Sequence, residues 1–258
     1  MTITGLVITF NEAPNIRRVL SHLTWLERVI VLDSGSTDET LAICADFKNV
    51  EIVHRAFDGF ASQCNHGLSL VQSEWCLSID ADYVVPPETA AEMQQAVRDP
   101  NVDGHEAELV YCIRGQRLAR AILPPRTVLF RTKCGRYIQD GHAHRLQLDG
   151  NVARLEHPVL HDDRKPMKRW LSSQDTYATQ EAEKLRSTPW DELAFSDRVR
   201  RLVVVAPWLV PAYYLVARQG LRDGWAGLDY AAQRAIAELV LAIKLIEREH
   251  ASGMESEP

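Results

Sequence analysis

Three short polar clusters, each closing an apolar run, constrain this chain more than any other feature of its sequence. The run Gly5 to Phe10 is closed by Thr9, Asn11 and Glu12; Arg28 to Leu32 by Asp33, Ser34 and Gly35; and Trp75 to Ile79 by Asp80, Ala81 and Asp82. Continuous apolar runs of this kind suit strands covered on both faces, as in a parallel sheet. Helical patterns lie between them. From Pro14 onward Ile16, Val19, Leu20 and Leu23 share one face, and Ala61 to Val71 forms a second helix. Ser36 and Glu39 have capping-box spacing ahead of Leu41, Ala42, Cys44 and Ala45. A further strand is expected at Val50 to His54, and Pro86 and Pro87 open another helix. This β-α repeat predicts an α/β fold with a doubly wound, mostly parallel sheet, whose ligand crevice lies at the carboxyl ends of the strands.

Beyond residue 100 the pattern loosens. Strands are expected at Ala107 to Ile113 and Thr127 to Arg131, followed by a polar stretch from Arg136 to His161. Helices return at Met167 to Leu185, Arg198 to Gln219 and Leu228 to Glu249, the last two separated by Gly220, Gly224 and Gly227. The expected organisation is a catalytic domain over 1–163, a helical C-terminal region over 164–251 and a disordered tail over 252–258. With 258 residues, 46% of them hydrophobic and 25% charged, the chain can bury a full core. The five cysteines are scattered without C-x-x-C spacing, which points to small buried apolar residues rather than disulfides or zinc ligands. The first residues lack a basic n-region, so a cytosolic protein is expected.

Two common nucleotide-binding devices are missing, since the chain contains neither G-x-G-x-x-G nor G-x-x-x-x-G-K-[ST]. It offers paired acids instead. Such pairs suit a magnesium or manganese ion bridging carboxylate and substrate phosphate oxygens, where the ion stabilises a departing diphosphate.

The segments Ile8 to Ile16, Val31 to Thr40, Phe57 to Asn65 and Trp75 to Asp82 together resemble the family 2 glycosyltransferases, in order and with normal spacing. Within that family the chain is most similar to the lipopolysaccharide-core glucosyltransferase type, whose tail also contains a segment like Gly220 to Tyr230. The resemblance implies a GT-A, Rossmann-like fold and a nucleotide-sugar donor. It implies that Thr9, Asn11, Glu12 and Asp33 line the nucleotide pocket, with Asp33 facing base or ribose, and that Gln63 and Asn65 face the donor. Asp80 and Asp82 match its D-x-D motif, the first facing ribose or sugar and the second binding Mg2+ or Mn2+. His161 resembles a late histidine that serves some GT-A enzymes as a further metal ligand.

An inverting transfer needs a base for the acceptor hydroxyl. Where the family commonly carries a His-Glu pair, this chain reads Asp140, Gly141, His142, Ala143, His144, Arg145 and Leu146. Alignment on Leu146 makes His144 the expected base, with Asp140 the second choice. Arg164, Lys165, Lys168 and Arg169 either meet phosphate charge or form the solvated face of a helix.

Charge is unevenly distributed. From Arg164 to Arg222 there are eleven Lys and Arg against six Asp and Glu, in a chain whose net charge is -6. An acidic body with a basic, apolar C-terminal part is a poor match for nucleic acid and a better one for an anionic membrane surface. Leu202 to Ala217 is uncharged, bounded by Arg200, Arg201 and Arg218, but too short and too rich in proline to span a bilayer. Peripheral attachment at the inner face of the cytoplasmic membrane is expected. The function expected is transfer of a hexose from a UDP-sugar, with inversion, to a lipid-linked or lipopolysaccharide-type glycan. A non-catalytic nucleotide-sugar binding or scaffolding protein is the alternative.

Overall fold

The computed structural model describes residues 1–119, 123–140 and 143–254, with the side chains of Asp140, Ala143, His144 and residues 248–254 outside the description. Two compact units are present: Met1–Arg117 with Leu123–Lys165, and Leu118–Ile122 with Pro166–Pro258.

The first unit opens with the predicted alternation: β1 (Ile3–Thr9), α1 (Ile16–Ser21), β2 (Arg28–Asp33), α2 (Thr40–Cys44), β3 (Val50–His54), α3 (Phe60–Ser69), β4 (Trp75–Asp80), the two-residue β5 (Tyr83–Val84) and α4 (Pro87–Ala96). Short strands follow: β6 (Gly104–Ala107), β7 (Leu109–Ile113), β8 (Gln116–Arg117), β9 (Arg126–Arg131), β10 (Gly135–Asp140), β11 (Ala143–Leu148), β12 (Val152–Arg154) and β13 (Val159–His161). The main sheet has seven strands in the order β12-β6-β9-β4-β1-β2-β3. It is mostly parallel, as expected; β9 alone runs antiparallel to its two neighbours, β4 and β6.

The apolar face of α1 is the one the sequence shows. Ile16, Val19, Leu20 and Leu23 are all buried, and they join Val7, Val29, Val31, Trp75 and Leu77 in one core on one side of the sheet. Leu6, Ile30, Cys76 and Phe130 form a second core with Ala61, Cys64 and Leu68 of α3 on the other. Parallel strands with both faces covered explain why β1, β2 and β4 read as unbroken apolar runs. Cys44, Cys64, Cys76 and Cys112 are buried and all five thiols are free.

The capping box expected at Ser36 is not formed. Helix α2 begins at Thr40 with Glu39 at its N-cap position and no side-chain cap, because Ser36 is used elsewhere: its hydroxyl donates to Asp33 and accepts from the Asn11 backbone N–H.

The second unit contains α5 (Met167–Ser187), α6 (Phe195–Arg201), α7 (Ala206–Val216), a 3-10 turn at Gly220–Asp223 and α8 (Gly224–Met254). Ala178, Ala182 and Leu185 of α5 pack with Leu241 and Leu245 of α8, and α7 packs on α8. The single helix expected over Arg198 to Gln219 is broken. Val203 adopts a left-handed φ of 55°, and Pro207, which cannot donate a backbone hydrogen bond, sits in the first turn of α7. Arg200, one of the arginines that bound the uncharged run, is turned into this unit rather than left for an anionic surface. It lies 3.1 Å from Glu238 and 3.2 Å from Glu181, two carboxylates buried inside this unit. Among the described residues, no helix is long and apolar enough to cross a membrane.

Candidate active site

Strand order locates the site before any side chain is considered. From β1 the chain proceeds to β2 and β3 on one side, then returns to place β4 on the other side of β1. The carboxyl ends of β1 and β4 therefore flank the point where the winding reverses, the usual place for a ligand crevice in an open α/β sheet. Thr9 stands opposite Asp33, and Ile8 opposite Asp80, in the parallel register. The three polar clusters thus converge on adjacent strand ends.

Each cluster does a different job. Asp33 is fully buried and accepts hydrogen bonds from Thr9 Oγ1 at 3.0 Å, the Gly35 backbone N–H at 2.9 Å and the Ser36 backbone N–H at 2.8 Å. Its carboxylate shapes the β2–α2 loop, where Gly35 takes a φ of 95°, rather than facing an open pocket. Asn11, itself left-handed at φ 56°, accepts from the Thr37 and Asp38 backbone N–H groups and ties the β1–α1 loop to the same structure. An Asn tolerates that conformation better than most residues. Gln63 and Asn65 are also turned inward. Gln63 Nε2 donates to Ser34 Oγ and to the Arg55 carbonyl, while Asn65 pairs with both backbone groups of Tyr137.

The acids after β4 face a different set of partners. His161 Nε2 lies 3.4 Å from Asp82 Oδ2, and β13 pairing fixes the ring, since His161 is opposite Tyr83 on β5 and Tyr111 on β7. Both tyrosine rings contact the imidazole, with centroids 5.2 and 4.5 Å away. Lys165 Nζ lies 2.9 Å from Glu12, 3.4 Å from Asp163 and 3.7 Å from Asp82. Asp80 has Arg126 at 3.5 Å.

Burial opposes charge on Asp82, but His161 and Lys165 outweigh it and hold the carboxyl below its usual range. The same exchange works in reverse on the cations. Burial would depress His161 and Lys165, and the carboxylates around them, Asp82 foremost, raise both instead. Burial is the main influence on Glu12 and raises its carboxyl, with Lys165 opposing.

The segment His161 to Lys165 is anchored residue by residue. Asp162 pairs with Arg18, accepts from Arg164 Nε and Nη2 on its Oδ2, and accepts the Gly115 backbone N–H on its Oδ1. Asp163 receives Asn15 Nδ2 at 2.8 Å, and Asn15 in turn accepts from the Arg164 backbone N–H. Of the basic residues that follow His161, Lys165 is thus drawn into the acids and Arg164 onto Asp162. Arg126 has no signal in the sequence that separates it from other strand arginines.

A divalent ion is compatible with this arrangement. Asp82 Oδ1 is buried without a hydrogen-bond partner, and two ligands at about 2.1 Å from one octahedral ion stand about 3 Å apart, near the observed separation of His161 and Asp82. Among the described residues no cluster of three or more His, Cys, Asp or Glu is preassembled around one point. Substrate phosphates would complete such a site.

The proposed bases lie on the β10–β11 pair. Gln139 is opposite His144 and Asp140 opposite Ala143; residues 141 and 142, and the side chains of Asp140 and His144, are outside the described part of the structure. Ala61, at the start of α3, donates its backbone N–H to Gln139 Oε1. Because α3 begins beyond the carboxyl end of β3, that contact brings this end of the β10–β11 pair to the carboxyl edge of the sheet.

Fold and site together define an open α/β sheet with an acid pair at the point where its winding reverses. The model of glycosyl transferase family 2 matches residues 6–141, and the chain belongs to that family. It is 32% identical over 135 residues to a glycosyltransferase of Rickettsia felis, covering 52% of this chain and 46% of that one, so it spans about half the length of that relative. It is 23% identical over 258 residues to the lipopolysaccharide core biosynthesis glycosyltransferase LpsC of Rhizobium meliloti, covering 96% of this chain and 93% of that one. Among solved structures, the mannosyltransferase PcManGT of Pyrobaculum calidifontis, in complex with GDP-Man and Mn2+, superposes with a TM-score of 0.52 at 17% identity over 95% of this chain and 86% of that one. The shared fold is GT-A.

Proposed function

We propose that this chain transfers a hexose from a nucleotide-diphosphate sugar, a UDP-sugar, onto a lipid-linked or lipopolysaccharide-type glycan at the inner face of the cytoplasmic membrane. The observation that carries the reading is the pairing of Asp82 with His161 beside the carboxyl ends of β1 and β4. A Mg2+ or Mn2+ ion held by these two side chains would supply charge neutralisation for the departing diphosphate.

The protein's own groups do the rest. Asp80, with Arg126 beside it, faces the ribose or the sugar. Thr9, Asn11, Glu12 and Asp33 frame the nucleotide pocket, Asp33 by fixing its loop, and Gln63 and Asn65 brace the walls behind it. In an inverting transfer the acceptor oxygen bonds to the anomeric carbon as the bond to diphosphate breaks. The hydroxyl proton passes to a base on the acceptor side, His144 in this reading and Asp140 as the alternative. Full-length similarity to LpsC supports the lipopolysaccharide-type acceptor.

The test is a thermal-shift screen of UDP, GDP and their hexose conjugates with Mn2+ or Mg2+, followed by measurement of nucleotide release with and without a lipid-linked glycan. A ligand at 100 times its Kd stabilises by about 2.7 kcal/mol. Stabilisation by UDP without any sugar transfer would leave a non-catalytic nucleotide-sugar binder. No response to any nucleotide diphosphate would remove the donor reading.

A further inference from the structure

Lys165 stands where a second cation is least expected if Asp82 and His161 hold a metal. Its side chain is largely enclosed, 14% exposed, and those of its three acidic neighbours are similarly sheltered, with Glu12 at 12%, Asp82 at 13% and Asp163 at 19%. The position is built rather than adopted by a free side chain. Asp163 Oδ1 accepts the Lys165 backbone N–H at 3.0 Å, Asn15 holds Asp163 and the Arg164 backbone, and Asn15 also donates to Glu12 at 3.0 Å. Backbone and side-chain bonds therefore bring both the lysine and two of its acids to one point.

We infer that Lys165 is a resident cation that makes metal loading conditional on the nucleotide diphosphate. The inference rests on the donor-site reading above. Its ammonium nitrogen is 3.7 Å from Asp82 Oδ2, so an ion on that oxygen would lie roughly 4 to 6 Å from it at ordinary ligand distances. Like charges that close, sheltered from water, repel strongly. Without nucleotide, Lys165 neutralises the acids and opposes the ion. A diphosphate brings negative charge into the same space, and the ammonium can then meet phosphate oxygens while Asp82 serves the metal. Metal and nucleotide would bind cooperatively, and by reciprocity each would raise the affinity of the other by the same factor.

The experiment measures Mn2+ affinity by calorimetry or by the paramagnetic resonance of free Mn2+, with and without UDP, on the full chain and on Lys165→Met and Lys165→Arg. Lys165→Met is expected to bind Mn2+ at least tenfold more tightly than the parent when UDP is absent, and to lose at least tenfold of the coupling between Mn2+ and UDP. Lys165→Arg, which keeps the charge, is expected to retain most of that coupling. Lys165→Gln, checked by its melting curve, serves in place of Met if the apolar side chain does not fold. Unchanged or weaker Mn2+ binding in the neutral variant, with UDP binding intact, would overturn this inference alone. A parent protein that binds neither Mn2+ nor UDP would overturn the donor-site reading and this inference with it.

Discussion

His161 reaches Asp82, at 3.4 Å, because β13 sets it directly opposite Tyr83, the residue that follows Asp82 in the chain. The pairing of two very short strands thus positions a side-chain pair in which each group favours the charged form of the other. Asp82→Ala and His161→Ala are each expected to weaken UDP binding at least tenfold in the presence of Mn2+ and to change it little in the presence of chelator, since the residue and the diphosphate would share one ion. Calorimetry under both conditions measures this. Equal UDP affinity for parent and Asp82→Ala with Mn2+ present would take Asp82 out of the metal site.

The base is tested by turnover rather than binding. His144→Ala is expected to lower the rate by about two to four orders of magnitude while leaving UDP affinity intact, as for loss of a general base. Asp140→Asn is the comparison, because the two residues are one step apart along the same strand pair. Should His144→Ala turn over normally and Asp140→Asn fail, the base is Asp140.

The parts of the fold that were legible in the sequence are those whose environment is uniform. Strands β1, β2 and β4 announce themselves because apolar neighbours cover them, and the residues after them are polar because the sheet ends there. Convergence of Thr9, Asp33 and Asp80 follows from β-α alternation alone. The β10–β11 pair is different. Its inward residues Tyr137, Leu146 and Leu148 alternate with exposed Arg136, Arg145 and Gln147, a period-two pattern spread over segments of six residues and diluted by polar positions. Roles that depend on distant partners leave no local trace. Gln63 and Asn65 read as donor contacts, yet their partners are the Arg55 carbonyl and the Tyr137 backbone. Lys165 reads as one member of a basic stretch, and only the fold puts Glu12 beside it.

The Gly220 to Tyr230 segment carries a stability prediction. Asp223 accepts from Tyr214 Oη and from the Ala119 backbone N–H, both at 3.0 Å, inside the second unit. A Cβ on Gly227 would meet the Gly220 carbonyl oxygen at 2.0 Å, and one on Gly220 would meet the Tyr214 ring at 2.3 Å. Gly227→Ala must therefore push backbone against backbone and is expected to cost about 3 kcal/mol. Asp223→Ala, which strands the buried Tyr214 hydroxyl and takes the partner from the part-buried Ala119 N–H, is expected to cost about 1 to 3 kcal/mol. Urea unfolding measures both, and a Gly227→Ala protein as stable as its parent would contradict the packing described.

The last prediction concerns the membrane. Helix α7 buries Ala206, Pro207 and Tyr214 and leaves Trp208, Leu209, Tyr213 and Val216 exposed, Trp208 by 71% and Val216 by 74%. Those residues recur at helical spacing and so form one outward stripe. Leu221 in the 3-10 turn and Trp225 and Leu228 after it add exposed apolar side chains, with Arg222 exposed beside Leu221. Apolar and indole groups with a nearby cation suit the headgroup region of a bilayer, and α7, with 11 residues, is far shorter than the roughly 20 that a spanning helix needs. Arg200 contributes nothing to such a surface, being committed to Glu238 and Glu181, so attachment should lean on burial of α7 more than on charge. Flotation with liposomes of graded anionic content is expected to recover the full chain. The double substitution Trp208→Ser, Val216→Ser should lower recovery severalfold, and Arg222→Gln should lower it less, given about 1 kcal/mol per basic residue near an anionic surface. Recovery that vanishes in moderate salt would mean that charge dominates instead. Protein that stays out of every lipid fraction would refute membrane attachment, and protein that resists both salt and alkaline carbonate would mean insertion rather than surface binding.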